Sequence, residues 1–131
     1  MNTPLATTQT KKYFHEGDDM LSEIVNLLSD KKAHDIVLFD LSKRSTFARY
    51  MIIANGQSSR QVLALAGYVE KHFKNLGLSV YVEGQENAEW VLVFAQDIAI
   101  HIFTPEKRGL YALDTLWADK DNMIRITDSE V

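Results

Sequence analysis

Residues 49–84 contain four segments in succession: an apolar run, a glycine turn, a long amphipathic helix and a second apolar run. This succession constrains the fold more than any other feature of the sequence. The run RYMIIAN, residues 49–55, has the composition of a β-strand. Residues 59–75 place apolar side chains three or four positions apart, as one buried face of a helix requires. Gly77 is placed to end this helix in a left-handed turn, and LSVYVEG follows as a strand. Strand, helix and strand in this order predict a parallel crossover. The predicted buried stripe of the helix comprises Val62, Leu65, Ala66, Val69, Phe73 and Leu76.

Two more helices and three more strands are predicted around this unit. Apolar residues at helical spacing in DMLSEIVNLLSDKKA predict a first helix, and DIVLFDL, residues 35–41, predicts a buried strand. EWVLVFA and IAIHIF predict two strands joined at Gln96-Asp97, a connection typical of a tight hairpin. A last helix is predicted from Pro105. The elements together predict an α/β fold, a mixed five-stranded sheet with helices packed on it.

Length and composition limit the classes of function. The 131 residues suit one domain, which we expect over residues 20–120, with flexible tails at 1–19 and 121–131. A net charge of -4 argues against a general grip on nucleic acid, which needs a basic surface, although a local basic patch remains possible. We expect no direct sequence-specific binding of nucleic acid. Without cysteine there is no thiolate chemistry, and the four histidines lack metal-ligand spacing, so we expect no metal and no cofactor. The absence of long apolar runs predicts a soluble, cytoplasmic protein with no membrane partner.

The turn NGQSSRQ, residues 55–61, has the strand-to-helix setting of several catalytic motifs. It lacks the second glycine and the lysine of a P-loop, and Arg60 stands where a nucleophile elbow needs glycine. A helix cap explains the same residues: Ser58 accepts from a backbone N–H three residues on, and Gln61 reaches back to the N–H of Ser58. We favour the cap, although the helix N-terminus could still receive a partner's carboxylate or phosphate.

A nucleotidyltransferase would also need acidic residues that jointly hold Mg²⁺. The nearest candidates, Asp35 and Asp40, are five positions apart on one predicted strand. Their side chains therefore point to opposite faces, near opposite ends of the strand. This spacing argues against a metal-dependent transferase.

Two strand residues and two residues near the C-terminal end remain candidates for function. His101 is expected to be a half-buried, hydrogen-bonded histidine that shares a face with Ala99 and Phe103; a catalytic role would need an orienting acid and a nucleophile. Trp90 begins a strand behind a polar loop, where complete burial is difficult. Trp90, Tyr111 and Trp117 are of the types enriched at binding hot spots, and the sequence leaves core and interface equally open for them.

The runs DIVLFDL, YMIIANGQSSRQV, VEGQENAEWVLV and DIAIHIFTPEKRGLYALDTLW, in this order and spacing, resemble the ribosomal silencing factor family, also called Iojap. The likeness extends from about Met20 to Trp117. It implies a nucleotidyltransferase-like α/β fold without catalytic acids, and a translational repressor that is not an enzyme. The expected partner is the large ribosomal subunit, bound through large-subunit protein fourteen at the intersubunit face, where the factor blocks joining of the small subunit. The resemblance also implies a homodimer when the protein is free.

The resemblance assigns the partner surface residue by residue. Glu89 and Trp90 match the family's acid–tryptophan pair, which faces the ribosomal partner, and His101 matches its strand histidine. The C-terminal pattern is matched by Arg108, Tyr111, Leu113, Leu116 and Trp117. Arg49 stands where the family usually has aspartate, which puts any contact of that acid in doubt. The alternatives are a divergent nucleotidyltransferase-like enzyme, tested by binding of nucleotide with Mg²⁺, and a dimeric adaptor with no ribosomal role.

Overall fold

The apolar runs pair into one sheet in a computed structural model that describes residues 19–42, 48–111 and 122–126. Three helices and six strands follow one another along these residues. In chain order they are α1 (Asp19–Asp30), β1 (His34–Asp40), β2 (Tyr50–Asn55), α2 (Ser59–Asn75), β3 (Tyr81–Glu83), β4 (Trp90–Ala95), β5 (Ile98–Phe103), α3 (Pro105–Tyr111) and β6 (Met123–Ile126).

The sheet is mixed and has the strand order β3-β4-β5-β2-β1-β6. β2 and β5 lie side by side and parallel, whereas the other neighbouring strands are antiparallel. The α/β fold with a mixed sheet is confirmed, and the count of five strands is wrong. The sixth strand, β6, pairs antiparallel with β1 from Met123 to Ile126. Four residues that include an exposed Arg125 are too short a run to show the alternation from which strands are predicted.

Both faces of the sheet are apolar, and each contributes to a separate core. The larger core lies between the sheet and the helices α1 and α2, and it includes fully buried Ile52, Ile100 and Phe73. The smaller core lies on the opposite face, where Val37, Phe39, Ile53 and Phe103 are fully buried. Burial of both faces explains why the strands read as continuous apolar runs instead of alternating ones.

The ends of α2 are fixed by the turn residues. Ser58 has extended backbone angles, and its Oγ accepts from the N–H of Gln61 at 3.2 Å, as expected of the cap. The returning bond differs by one residue, because Gln61 Oε1 accepts from the N–H of Gln57 at 2.7 Å, not from that of Ser58. Gly77 closes the helix at φ +80°. Leu76, predicted in the buried stripe, is 48% exposed because it already belongs to this cap.

The hairpin between β4 and β5 has the predicted two-residue connection. Gln96 and Asp97 both have positive φ, 51° and 66°, which suits the twist of a tight hairpin. The turn pairs Ala95 with Ile98, and the register then continues without a bulge to Trp90 opposite Phe103. This register decides which side chains meet on the outer face, meaning the face opposite α1 and α2.

Candidate docking surface around Trp90

Trp90 lies half-buried on the outer face of the sheet, at the start of β4. Its indole stacks on the ring of Phe103, with the two ring centroids 5.1 Å apart and the planes inclined by 23°. Phe103 is fully buried and belongs to the outer core, so it gives the indole a rigid base. A large aromatic ring held on a rigid base with one side open to solvent is a typical anchor for a protein partner.

His101 holds the polar edge of the same indole. Trp90 Nε1 donates to His101 Nδ1 over 2.9 Å. Because the indole nitrogen can only donate, Nδ1 must carry the lone pair, and the proton of the neutral imidazole lies on Nε2. Burial lowers the pKa of His101 from 6.5 to about 4, so the ring is neutral at pH 7 and the bond is available. The half-buried, hydrogen-bonded histidine expected from the sequence is what the structure contains.

The loop between β3 and β4 fixes the backbone of Trp90. Gly84 has φ +97°, and a Cβ built on it would lie 2.2 Å from the carbonyl oxygen of Trp90. Only a residue without a side chain permits this approach. Ala88, also at positive φ, donates its N–H to the carbonyl of Gly84 at 3.1 Å and closes the loop.

Glu89 connects this loop to α3. Its carbonyl accepts from the N–H of Thr104 at 3.0 Å, and its carboxylate lies 3.6 Å from Lys107 Nζ. The side chain of Glu89 remains 49% exposed, so the ion pair with Lys107 stabilises the fold by at most about 1 kcal/mol. The carboxylate of Glu89 therefore stays accessible to solvent.

Arg108 is used inside the protein. It is 9% exposed, and its Nη1 donates to Asn55 Oδ1 at 3.0 Å and to the carbonyl of Asp35. Asn55 Nδ2 in turn donates to the Asp35 carboxylate at 3.3 Å. The guanidinium thus joins α3 to the ends of β1 and β2. Sequence reasoning did not find Asn55 or Asp35 as its partners, because they lie far away along the chain.

A strip of half-buried apolar side chains continues from Trp90 along the outer face. Leu92 and Phe94 follow Trp90 at alternate positions of β4, and Tyr81 on β3 is paired with Phe94. Tyr81 is 55% exposed. Acidic side chains rim this strip: Glu83, Glu86 and Glu89 are all exposed. An apolar centre with an acidic rim matches the usual anatomy of an interface with a basic protein.

The acidic residues considered for a metal site do not converge. Asp35 is the second residue of β1 and accepts from Asn55 Nδ2, whereas Asp40 ends β1 and accepts from the N–H and Oγ of Ser42 at 2.9 and 2.7 Å. Within residues 19–42, 48–111 and 122–126, no three histidine or acidic side chains are grouped so that they could hold a metal ion. Asp35 and Asp40 therefore cannot jointly hold one metal ion.

Comparison with known proteins identifies the family. The family model described as "Ribosomal silencing factor during starvation" matches residues 15–131. The chain belongs to the ribosomal silencing factor family. It is a ribosome-associated regulator of translation. A ribosomal silencing factor of Zymomonas mobilis is 40% identical over 120 residues, which cover 90% of each chain. A mouse protein named for mitochondrial assembly of the ribosomal large subunit is 31% identical over 72% of this chain and 43% of its own length.

A solved relative has the same fold. The crystal structure of a protein from Chromobacterium violaceum superposes with a TM-score of 0.75 and 36% sequence identity, covering 82% of this chain and 90% of the other. In the described part of this silencing factor, no helix is long and apolar enough to cross a membrane.

The structure brings some of the eight assigned partner-surface residues of this silencing factor together. Trp90 and His101 are hydrogen-bonded to each other, and Glu89, which precedes Trp90 in the chain, pairs with Lys107 on α3. Arg108 is buried elsewhere, where it joins α3 to Asn55 and Asp35. Tyr111 is the last residue of α3. Leu113, Leu116 and Trp117 lie outside the described residues. Phe103 and Gly84 were not assigned from the sequence, although the hairpin register and the glycine were visible signals for them.

Proposed function

We propose that this silencing factor binds the large ribosomal subunit through large-subunit protein fourteen at the intersubunit face, and that the bound domain blocks joining of the small subunit. The observation that carries the proposal is the half-buried Trp90, held on the outer face by Phe103 and His101. Further support comes from the mouse relative, whose name connects it with assembly of the large subunit.

The proposed mechanism is steric exclusion. A domain that docks on a ribosomal protein does not need a basic surface of its own, which agrees with a net charge of -4. Ribosomal proteins are typically basic, so the exposed Glu83, Glu86 and Glu89 would accelerate encounter and fix orientation. Trp90 at the centre of the surface would supply affinity by leaving water. No reacting group is required, and we propose that the protein is not an enzyme and uses no cofactor.

The other partner-surface residues take supporting roles in this proposal. Tyr111, Leu113, Leu116 and Trp117 also contact the partner in this proposal, and Arg108 fixes the position of α3 from inside. Before docking, we propose, the protein exists in the cytoplasm as a homodimer. The sequence places the domain at residues 20–120, but we propose that the folded domain extends past this boundary, because residues 123–126 contribute the strand β6 to the sheet.

Co-sedimentation with purified large subunits tests the proposal directly. Trp90→Ala is expected to weaken binding by at least about 2 kcal/mol, roughly a thirtyfold rise in Kd. The matched control is Tyr68→Ala, which removes a 43% exposed aromatic side chain from α2. Light scattering during subunit joining then measures the block itself. Equal affinity of a folded Trp90→Ala variant would remove Trp90 from the surface, and unimpaired joining in the presence of saturating protein would end the proposal.

A nucleotide-binding measurement tests the enzymatic alternative. Calorimetry with nucleoside triphosphates and Mg²⁺ is expected to give no heat of binding, because Asp35 and Asp40 lie at opposite ends of β1. Saturable binding or turnover would show a catalytic function in place of steric repression.

A further inference from the structure

We infer that His101 and Gly84 are positioning residues, which hold the Trp90 indole in its docking pose before the partner arrives. His101 acts through its side chain and Gly84 through the backbone. The inference rests on the proposed function, because it concerns the residue placed at the centre of the docking surface.

The two side-chain contacts of Trp90 restrict different motions. Stacking on Phe103 at 5.1 Å fixes the plane of the indole against the sheet. The hydrogen bond to His101 Nδ1 fixes the direction in which the indole points within that plane. A surface tryptophan without such contacts samples several rotamers and loses that freedom when it binds. An indole that is already fixed loses less entropy on docking, so the same contacts give a higher affinity.

The chemistry of His101 suits positioning better than direct contact. Nδ1 is occupied by the indole N–H, so the imidazole uses its acceptor within the protein. The ring is also stacked on Phe103, with centroids 6.2 Å apart and planes inclined by 16°. Burial keeps the imidazole neutral at pH 7, so its lone pair remains present under ordinary conditions. What the partner meets is the indole that His101 orients.

Gly84 constrains the backbone of Trp90, whereas His101 and Phe103 contact its side chain. A side chain at position 84 would collide with the carbonyl oxygen of Trp90, at 2.2 Å from the Cβ. The start of β4 would have to move, and the indole would be lifted from Phe103. Gly77 offers a matched comparison, since it also has positive φ, +80°, but a Cβ there would meet nothing within 4 Å.

Two His101 variants separate the hydrogen bond from the ring. His101→Asn retains an acceptor close to the position of Nδ1, whereas His101→Phe retains an aromatic ring without one. Binding to purified large subunits is measured together with the ¹⁵N-resolved indole N–H signal of Trp90, assigned by its loss in Trp90→Phe. We expect His101→Phe to bind about five- to tenfold more weakly and to exchange its indole proton faster, because one hydrogen bond is lost. We expect His101→Asn to restore both properties most of the way.

The outcomes separate the inference from the function on which it rests. If wild-type protein binds and folded His101→Phe binds equally tightly, the positioning role is wrong and the proposed function stands. If His101→Asn is as weak as His101→Phe, the acceptor is not what matters and the inference is overturned. If wild-type protein does not bind large subunits at all, the proposed function fails and the docking role falls with it.

The two glycine variants repeat the test through the backbone. Both Gly84→Ala and Gly77→Ala place an alanine at positive φ and carry a similar conformational cost. Only Gly84→Ala is expected to weaken binding, by tenfold or more, and to change the indole signal of Trp90. Equal binding by the two variants would refute the role of Gly84, and thermal unfolding of both confirms that they are compared in the folded state.

Discussion

Arg108 on α3 and Asn55 at the end of β2 are joined by a buried hydrogen bond of 3.0 Å between Nη1 and Oδ1. The two residues are separated by 53 positions in the chain, and the same guanidinium also binds the carbonyl of Asp35. One side chain therefore fixes α3, and with it the position of Lys107 next to Glu89, relative to two strands of the sheet.

Arg108→Met should reduce the free energy of unfolding by about 3 kcal/mol, because it leaves two acceptors inside the protein without their charged donor. Urea denaturation measures this. Lys107→Met is the control, since its pair with Glu89 is exposed at 3.6 Å and should contribute less than about 1 kcal/mol. Similar losses in the two variants would mean that Arg108 does not hold the helix.

The free energy of unfolding should depend on pH through His101. The pKa of its imidazole is about 4 in the folded protein and near 6.5 in the unfolded chain. As pH falls below 6.5 the unfolded chain takes up the proton first, so folding loses stability progressively until about pH 4. The loss amounts to at most about 3 kcal/mol. Between pH 4 and 7, the free energy of unfolding should change less steeply with pH in His101→Asn than in wild type. The same pH dependence in both proteins would contradict the burial of the imidazole.

The N-terminal cap of α2 should depend on one hydroxyl. Ser58→Ala removes the acceptor of the Gln61 N–H and should cost about 1 kcal/mol in thermal or chemical unfolding. Ser59 is the next residue and is exposed in the first turn of the helix. Ser59→Ala should therefore change the free energy of unfolding by only a few tenths of a kcal/mol. If the Ser59 variant loses more stability than the Ser58 variant, the cap has been placed at the wrong residue.

The acidic rim should act mainly on the rate of association. Glu86→Lys reverses an exposed charge near Trp90, and we expect slower association with large subunits, with a difference that shrinks as salt rises. Glu70→Lys makes the same charge change on α2 and serves as the control. The association rate constants are measured by stopped-flow or surface-based kinetics at two salt concentrations. Equal association rates for the two variants would mean that the acidic rim does not face the partner.

Much of the fold and part of the site could be predicted because they follow from local rules. The length and caps of α2 come from its apolar spacing, Ser58 and Gly77. The Trp90–His101 contact was also contained in the sequence. A two-residue turn at 96–97 sets Trp90 opposite Phe103, and His101 is then its diagonal neighbour on the same face.

The remaining features depend on distant segments and could not be predicted locally. Arg108 meets Asn55 and Asp35 only because α3 returns over the ends of β1 and β2. A positive φ of 50° at Asp35 and the shifted register beside it have no clear sequence signal. The run MIRI is too short to predict a strand by itself. It forms β6 because it pairs with the edge of the sheet at β1.

The position of β6 has a consequence for biosynthesis. Of the six strands it is the last to leave the ribosome, yet it covers an edge made from the first, β1. Until residues 123–126 have emerged, the nascent domain carries an open strand edge that is available for mispairing. A regulator of translation thus completes its own sheet only when synthesis has passed the last of these strands.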